Sequence, residues 1–169
     1  MEGINFVKKI IQMKYPFVLK TSMEIAAPIE KAFAALSEPE SVKTLFWDSE
    51  LVTTWQVGTP IIYQGEWEEQ KFEDHGTVLQ FDPPHVIKYN YWSSFAAAEL
   101  PDLPENYQTI TYTFEPNEQG TLVTIEQDNI RSAEVMEHSE QNWQYLLGAM
   151  KEMLEVEKLK GWKEATAAT

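Results

Sequence analysis

Apolar residues recur at helical spacing along residues 132–160, near the C-terminus of the chain. The i, i+3, i+4, i+7 spacing predicts one long amphipathic helix, because no Pro interrupts the run. Its polar side includes Gln144, and Ser139 interrupts its apolar side one turn before Trp143. The Ser139 hydroxyl must bond to the backbone or face an internal space. The apolar stripe consists of Val135, Met136, Trp143, Leu146, Leu147, Met150, Met153 and Leu154.

The chain before this helix alternates apolar and polar residues at period two, which predicts strands. Two short helices, residues 28–36 and 40–46, follow the first strand and are separated by Pro39. Residues 47–58 are predicted to be irregular, and residues 93–106 form a loop long enough to be a lid or disordered. The strands are predicted at residues 15–25, 60–67, 71–81, 86–92, 107–115 and 121–129.

This order of elements predicts an α+β fold in which a curved antiparallel sheet of about six or seven strands wraps round the long C-terminal helix. The chain of 169 residues has the size of one domain, which we assign to residues 15–160. Residues 1–14 are predicted to be an accessory N-terminal segment, although residues 1–12 could also lie upstream of the native start. Residues 164–169 are small and polar, and a disordered tail is predicted for residues 161–169.

Charge and composition exclude several kinds of partner. The net charge is −14 and Arg131 is the single arginine, whereas nucleic-acid binding requires clustered Lys and Arg. An acidic membrane surface would repel the chain, and no apolar run approaches the roughly 20 residues that span a bilayer. The absence of Cys excludes disulfides and thiolate chemistry. A cytoplasmic protein that binds neither nucleic acid nor membrane is therefore expected, with its oligomeric state left open.

The concave face of the predicted sheet carries polar groups that are all neutral. Because a buried charge is costly unless it is paired, a cavity lined this way suits an apolar or amphipathic small molecule. The alternative is that these groups satisfy one another or bind buried water. Thr21, Gln108 and Asn129 belong to the same face. The predicted ligand-binding residues are Tyr63, Trp67, Tyr89, Tyr91, Tyr112, Gln127, Ser139, Trp143 and Leu147.

The sequence offers little for acid/base or metal chemistry. His75, His85 and His138 lack the spacing of metal ligands, and surface roles are expected for all three. Glu126 and Asp128 alternate with Gln127 and are predicted to be solvated. No Gly-rich phosphate loop and no nucleophile elbow occur, so no catalytic residue, metal or cofactor is predicted.

Six segments carry a resemblance to a known family, and in this order along the chain they are fairly specific: residues 27–36, 57–60, 65–84, 100–107, 126–129 and 138–143. Together they resemble the activator of heat-shock-protein-90 ATPase homologues in their small, stand-alone form, within the START-like (SRPBCC or polyketide-cyclase) superfamily. The resemblance implies a helix-grip fold with a cavity commonly used for apolar ligands, and it transfers no catalytic motif.

Three functions follow as hypotheses. The first is binding of an apolar small molecule between the sheet and the C-terminal helix. The second, which the family resemblance implies, is an interaction module that modulates a chaperone ATPase. The third is an enzyme of the cyclase or hydrolase kind; a charged pair projecting into the cavity would favour it, and the alternation pattern provides none.

Overall fold

The computed structural model describes residues 13–167, and it has the predicted α+β architecture. The first strand is followed by two short helices, then by strands, and last by a long helix. The helices are α1 (Ile29–Ser37), α2 (Pro39–Leu45) and α3 (Ala133–Ala167). The strands are β1 (Phe17–Ile25), β2 (Glu50–Thr53), β3 (Pro60–Trp67), β4 (Gln70–Asp82), β5 (Val86–Tyr91), β6 (Gln108–Asn117) and β7 (Gly120–Ile130).

The seven strands form one antiparallel sheet in the order β1-β7-β6-β5-β4-β3-β2. Strands β2 to β7 follow one another as neighbours, and β1 joins the free side of β7. Strand β2 lies within the stretch that was predicted to be irregular, so that prediction was wrong there. The strand has only four residues and, of these, only Leu51 is buried, so alternation along the sequence does not reveal it.

The long helix α3 covers the sheet unevenly. Leu146, Leu147, Met150 and Leu154 are buried, whereas the apolar side of its N-terminal half is only half-buried. Most of its contacts with the sheet are made along β1. No helix within residues 13–167 is both long enough and apolar enough to cross a membrane.

Helix α3 continues through Gly161 to Ala167, where the sequence predicted a disordered tail. A glycine inside a helix costs about 1 kcal/mol relative to alanine, which is too little to end a helix flanked by Lys, Glu and Ala. The tail prediction was therefore wrong up to residue 167. Residues 168 and 169 and the accessory segment up to residue 12 lie outside the described residues.

Gln144 is exposed, as expected for the polar side of α3, and its amide donates to the hydroxyl of the buried Thr21.

A bulge in β4 changes which of its side chains face inward. The pairing of β4 with β5 shifts register between Val78 and Gln80, which places a bulge at Leu79. A bulge inserts one unpaired residue and reverses the alternation. Val78 is consequently fully buried and Leu79 is exposed, whereas uninterrupted alternation through Thr77, Leu79 and Phe81 predicts that Leu79 faces inward.

The loop of residues 93–106 is tied to the sheet and contains two 3-10 turns, Ser94–Ala96 and Pro104–Asn106. The Trp92 indole N–H donates to the Leu100 carbonyl over 2.9 Å, and Arg131 forms an ion pair with Glu99. These contacts argue against the lid or disordered segment considered from the loop length.

Candidate ligand-binding site

Five aromatic rings meet on the inner face of the sheet beneath the middle of α3. The Tyr63 ring stacks on Phe46 with 5.4 Å between centroids, and it lies 5.9 Å from Tyr89. Tyr112 contacts Tyr89 and Trp143 edge-on, at 5.7 and 5.9 Å. Tyr63, Tyr89 and Tyr112 are buried, as the alternation of β3, β5 and β6 predicts. Trp143 is half-buried and contacts both Tyr112 and Phe46.

Three tyrosine hydroxyls lie inside this group of rings, and one of them lacks a partner. The hydroxyls of Tyr89 and Tyr112 share a hydrogen bond of 2.5 Å. The Tyr63 hydroxyl is buried without a hydrogen-bond partner among the described residues. Burial raises the pKa of Tyr63 to about 12, an effect that the neighbouring hydroxyls of Tyr89 and Tyr112 partly offset. Burial also raises the pKa of Tyr89 and of Tyr112 well above 10.

Gln127 connects α3 to two strands. Its side-chain oxygen accepts from the Trp143 indole N–H over 2.7 Å, and its amide donates to the Gln108 side chain over 2.7 Å. Both polar ends of this buried amide therefore have partners. These bonds fix the position of Trp143 above the tyrosines.

Asp74 adds a buried carboxylate to the same face, which the sequence prediction missed. One of its oxygens accepts from the Tyr91 hydroxyl over 2.7 Å. The other accepts from the Ser93 hydroxyl and the Ser94 backbone N–H, both over 3.0 Å. Burial, with the Asp74 charge beside it, raises the pKa of Tyr91 well above its usual value. The bulge at Leu79 explains the omission, because it turns the even-numbered residues at 74–78 inward.

The remaining predicted site residues are dispersed. Trp67 is 50% exposed at the end of the β3–β4 hairpin and makes no ring contact or side-chain hydrogen bond among the described residues. Ser139 is half-buried on α3, whereas Leu147 is a fully buried core residue. Asn129 fastens the loop of residues 93–106, because its amide donates to the carbonyls of Glu105 and Tyr107.

The outer face of the sheet holds a second polar group around His75. The two ring nitrogens of His75 contact Glu73 at 3.2 Å and Asp102 at 2.9 Å. The Tyr107 hydroxyl donates to Asp102 over 2.6 Å. This hydrogen bond lowers the pKa of Asp102, and the contact with His75 lowers it further by a smaller amount. This group holds the loop against β4. No three acidic or His residues in the described part of the chain are arranged to bind a metal.

His85 and His138 are exposed, in agreement with the surface roles expected for them. Asp128 was expected to be solvated and is instead buried. Its carboxylate accepts from the Thr109 backbone N–H over 2.6 Å, next to the irregular pairing of β7 with β1. Backbone irregularity at a strand end was again the feature that alternation could not show.

Two surface depressions on the described residues lie away from the tyrosine group. One, of about 510 Å³, lies on the β3–β4 hairpin and is lined by Gly65 and Phe72 among others. The other, of about 310 Å³, lies along α3 between Gly148 and Leu159.

Comparison with known proteins places this geometry in a family. The family model described as "Activator of Hsp90 ATPase homolog 1-like protein" (AHSA1) matches residues 26–155, which include strands β2 to β7 and most of α3. The chain belongs to this family. The AHSA1 match confirms the resemblance seen in the sequence. No functionally curated protein matches the chain.

Solved structures of similar proteins share the AHSA1 fold. The solution structure of ChR145 from Cytophaga hutchinsonii is 35% identical, with a TM-score of 0.74 over 86% of this chain and 98% of that one. The Aha1 dimer from Colwellia psychrerythraea is 20% identical, with a TM-score of 0.65 over 83% and 97% of the two chains. DynU16, a protein of the dynemicin biosynthetic locus, is 14% identical, with a TM-score of 0.66 over 82% and 47%. The last two show the fold alone.

Proposed function

We propose that this AHSA1 protein binds an apolar or amphipathic small molecule between the inner face of the sheet and the N-terminal half of α3. The observation that carries the proposal is the Tyr63 hydroxyl, buried without a hydrogen-bond partner inside a group of aromatic rings. An unsatisfied buried hydroxyl costs about 1 to 3 kcal/mol, and a bound ligand that accepts or donates there would recover that cost.

The half-buried side of α3 supports an entrance at this point. Val135, Met136, Ser139 and Trp143 lie on the apolar side of the helix, yet none of them is fully buried. Farther along the helix, four residues of the same stripe are buried in the core: Leu146, Leu147, Met150 and Leu154. A ligand that entered through this less covered half would reach the tyrosine hydroxyls by displacing the Trp143 ring, which breaks the hydrogen bond from its indole N–H to Gln127.

Titration with N-phenyl-1-naphthylamine, an apolar dye that fluoresces in dry surroundings, tests the proposal. The native protein should bind it saturably with a stoichiometry of one. Ser139→Leu should weaken binding about tenfold and leave the fold intact, because the leucine fills the entrance. Ser22→Leu, on the exposed face of β1, is the matched control and should bind like the native protein. Absence of dye binding to the native protein would refute the proposal.

A second candidate function is interaction with a chaperone, which the AHSA1 family name suggests. The observation that favours it is a pair of exposed aromatic residues: Trp47 stacks on Tyr145 with 6.2 Å between centroids, and Tyr145 is 69% exposed. Exposed aromatic residues are enriched where proteins bind one another. Stimulation of the ATPase of a purified Hsp90-type chaperone, reduced by Tyr145→Ser, would support this function over ligand binding.

The structure gives no corresponding support to an enzyme. Asp74 is a buried carboxylate on the inner face, but both of its oxygens already accept hydrogen bonds from Tyr91, Ser93 and Ser94. Asp74 therefore acts as an anchor for the start of the loop.

A further inference from the structure

The tyrosine hydroxyls beneath α3 have two protons left to donate. Tyr89 and Tyr112 are joined by one hydrogen bond, which uses one of their two protons. Whichever of the two hydroxyls accepts that bond keeps its own proton. The unpartnered Tyr63 hydroxyl supplies the second free proton. A carbonyl oxygen has two lone pairs and can accept both.

These hydroxyls act as donors at neutral pH. Burial raises the pKa of Tyr63 to about 12 and holds those of Tyr89 and Tyr112 well above 10. All three are consequently protonated under physiological conditions. The site can therefore stabilise a hydrogen-bond acceptor without gaining a charge of its own.

The charges around the site disfavour an anionic ligand. Asp74, bonded to the Tyr91 hydroxyl, lies on the same inner face and would repel a second carboxylate. The basic side chains that form ion pairs in the described chain do so elsewhere, as Lys14 does with Glu105 and Lys151 with Glu155. A buried anion without a cationic partner pays a desolvation cost that neutral hydrogen bonds do not offset.

We propose that the site beneath α3 selects neutral apolar molecules that carry a carbonyl-type acceptor, which Tyr63 and the Tyr89–Tyr112 pair bind, and that it rejects carboxylates of the same shape. This selectivity rests on the proposed ligand-binding function. It defines the ligand by its chemistry: an apolar body, no negative charge, and one ketone, ester or amide oxygen directed at the tyrosines.

Two naphthalene probes of matched shape test the selectivity on the native protein. The ketone 6-propionyl-2-(dimethylamino)naphthalene should bind at least about tenfold more tightly than 6-(dimethylamino)-2-naphthoate. Tyr63→Phe should weaken binding of the ketone about fivefold to tenfold. It should also shift the emission of the bound ketone to the blue, because a hydrogen bond to the ketone carbonyl shifts that emission to the red. Tyr145→Phe removes an exposed hydroxyl and is the matched control.

N-phenyl-1-naphthylamine, which has no carbonyl, separates the two proposals. Its saturable binding to the native protein therefore reports the ligand site without any contribution from a carbonyl. If this dye binds but the ketone and the carboxylate bind equally, the selectivity is wrong and the ligand site stands. The same conclusion follows if Tyr63→Phe leaves ketone affinity and emission unchanged. If none of the three probes binds, both proposals fail. The comparison of probes uses the native protein alone, so its outcome does not depend on whether a variant folds.

Discussion

At the scale of single residues, the alternation along the strands predicted which tyrosines are buried but not how their hydroxyls are hydrogen-bonded. Tyr63, Tyr89 and Tyr112 were predicted from period-two spacing, and all three are buried. The lack of a partner at Tyr63 could not be predicted, because it depends on distances of a few tenths of an ångström between strands. Asp74 was missed for a different reason. The bulge at Leu79 changes which residues of β4 face inward, and nothing in the local sequence marks it.

Tyr63 also predicts how stability depends on alkaline pH. The folded state holds the Tyr63 proton more tightly than the unfolded chain does, since its pKa rises from 10.0 to about 12. Its contribution to stability is therefore complete below pH 10 and is lost as pH rises from 10 through 12, by about 1.4 kcal/mol per pH unit. The raised pKa values of Tyr89, Tyr91 and Tyr112 act in the same direction.

Urea denaturation at a series of pH values between 8 and 11.5 measures this effect. The free energy of unfolding of the native protein should fall above pH 10, and Tyr63→Phe should fall less steeply. Below pH 9 the same variant should be unchanged or up to about 1 kcal/mol more stable, because it removes an unsatisfied hydroxyl. Parallel pH profiles for the two proteins would show that Tyr63 is not buried as described.

At the scale of elements, the sequence predicted the strong patterns and missed the weak ones. Strand β3 has the predicted bounds, and the long helix begins one residue after its predicted start. Strand β2 was missed because four residues at a sheet edge carry almost no periodic signal. The continuation of α3 past residue 161 was missed because the apolar periodicity stops there. The residues that follow still have high helix propensity, so the helix continues.

Two glycines provide a matched test of how closely elements pack. An added Cβ at Gly76 would lie 1.8 Å from the Asn90 backbone oxygen, whereas one at Gly148 would meet nothing within 4 Å. Asn90 has little freedom to move, since its side-chain oxygen accepts from Thr77 over 2.7 Å. Gly76→Ala should lose at least about 3 kcal/mol of stability. Gly148→Ala, inside a helix, should gain about 0.5 to 1 kcal/mol.

Thermal denaturation of the two alanine variants beside the native protein is sufficient to check this. A fall in the melting temperature of Gly76→Ala and a rise for Gly148→Ala are expected. Equal melting temperatures would mean that β4 and β5 are not in the contact described at Gly76.

At the scale of the whole molecule, acidity limits what the surface can bind. The net charge is −14, and several basic side chains of the described chain are already paired with acids, including Lys43 with Asp48 and Arg131 with Glu99. We expect no measurable binding to single-stranded or duplex nucleic acid at physiological salt. Fluorescence anisotropy would contradict this if it gave a micromolar affinity that weakens as salt is added.

The placement of the loop between β5 and β6 has a consequence for the continuity of the chain. Strands β1 to β5 precede the loop, whereas β6, β7 and α3 follow it. Two long strand pairings, β1 with β7 and β5 with β6, join these halves. Asp74 and His75, neighbours on β4, hold opposite ends of the loop from the two faces of the sheet. A chain cut within the loop would therefore consist of two fragments, and each would lack the strand edge that the other supplies. This loop is consequently the natural junction for a split protein that reassembles from its halves.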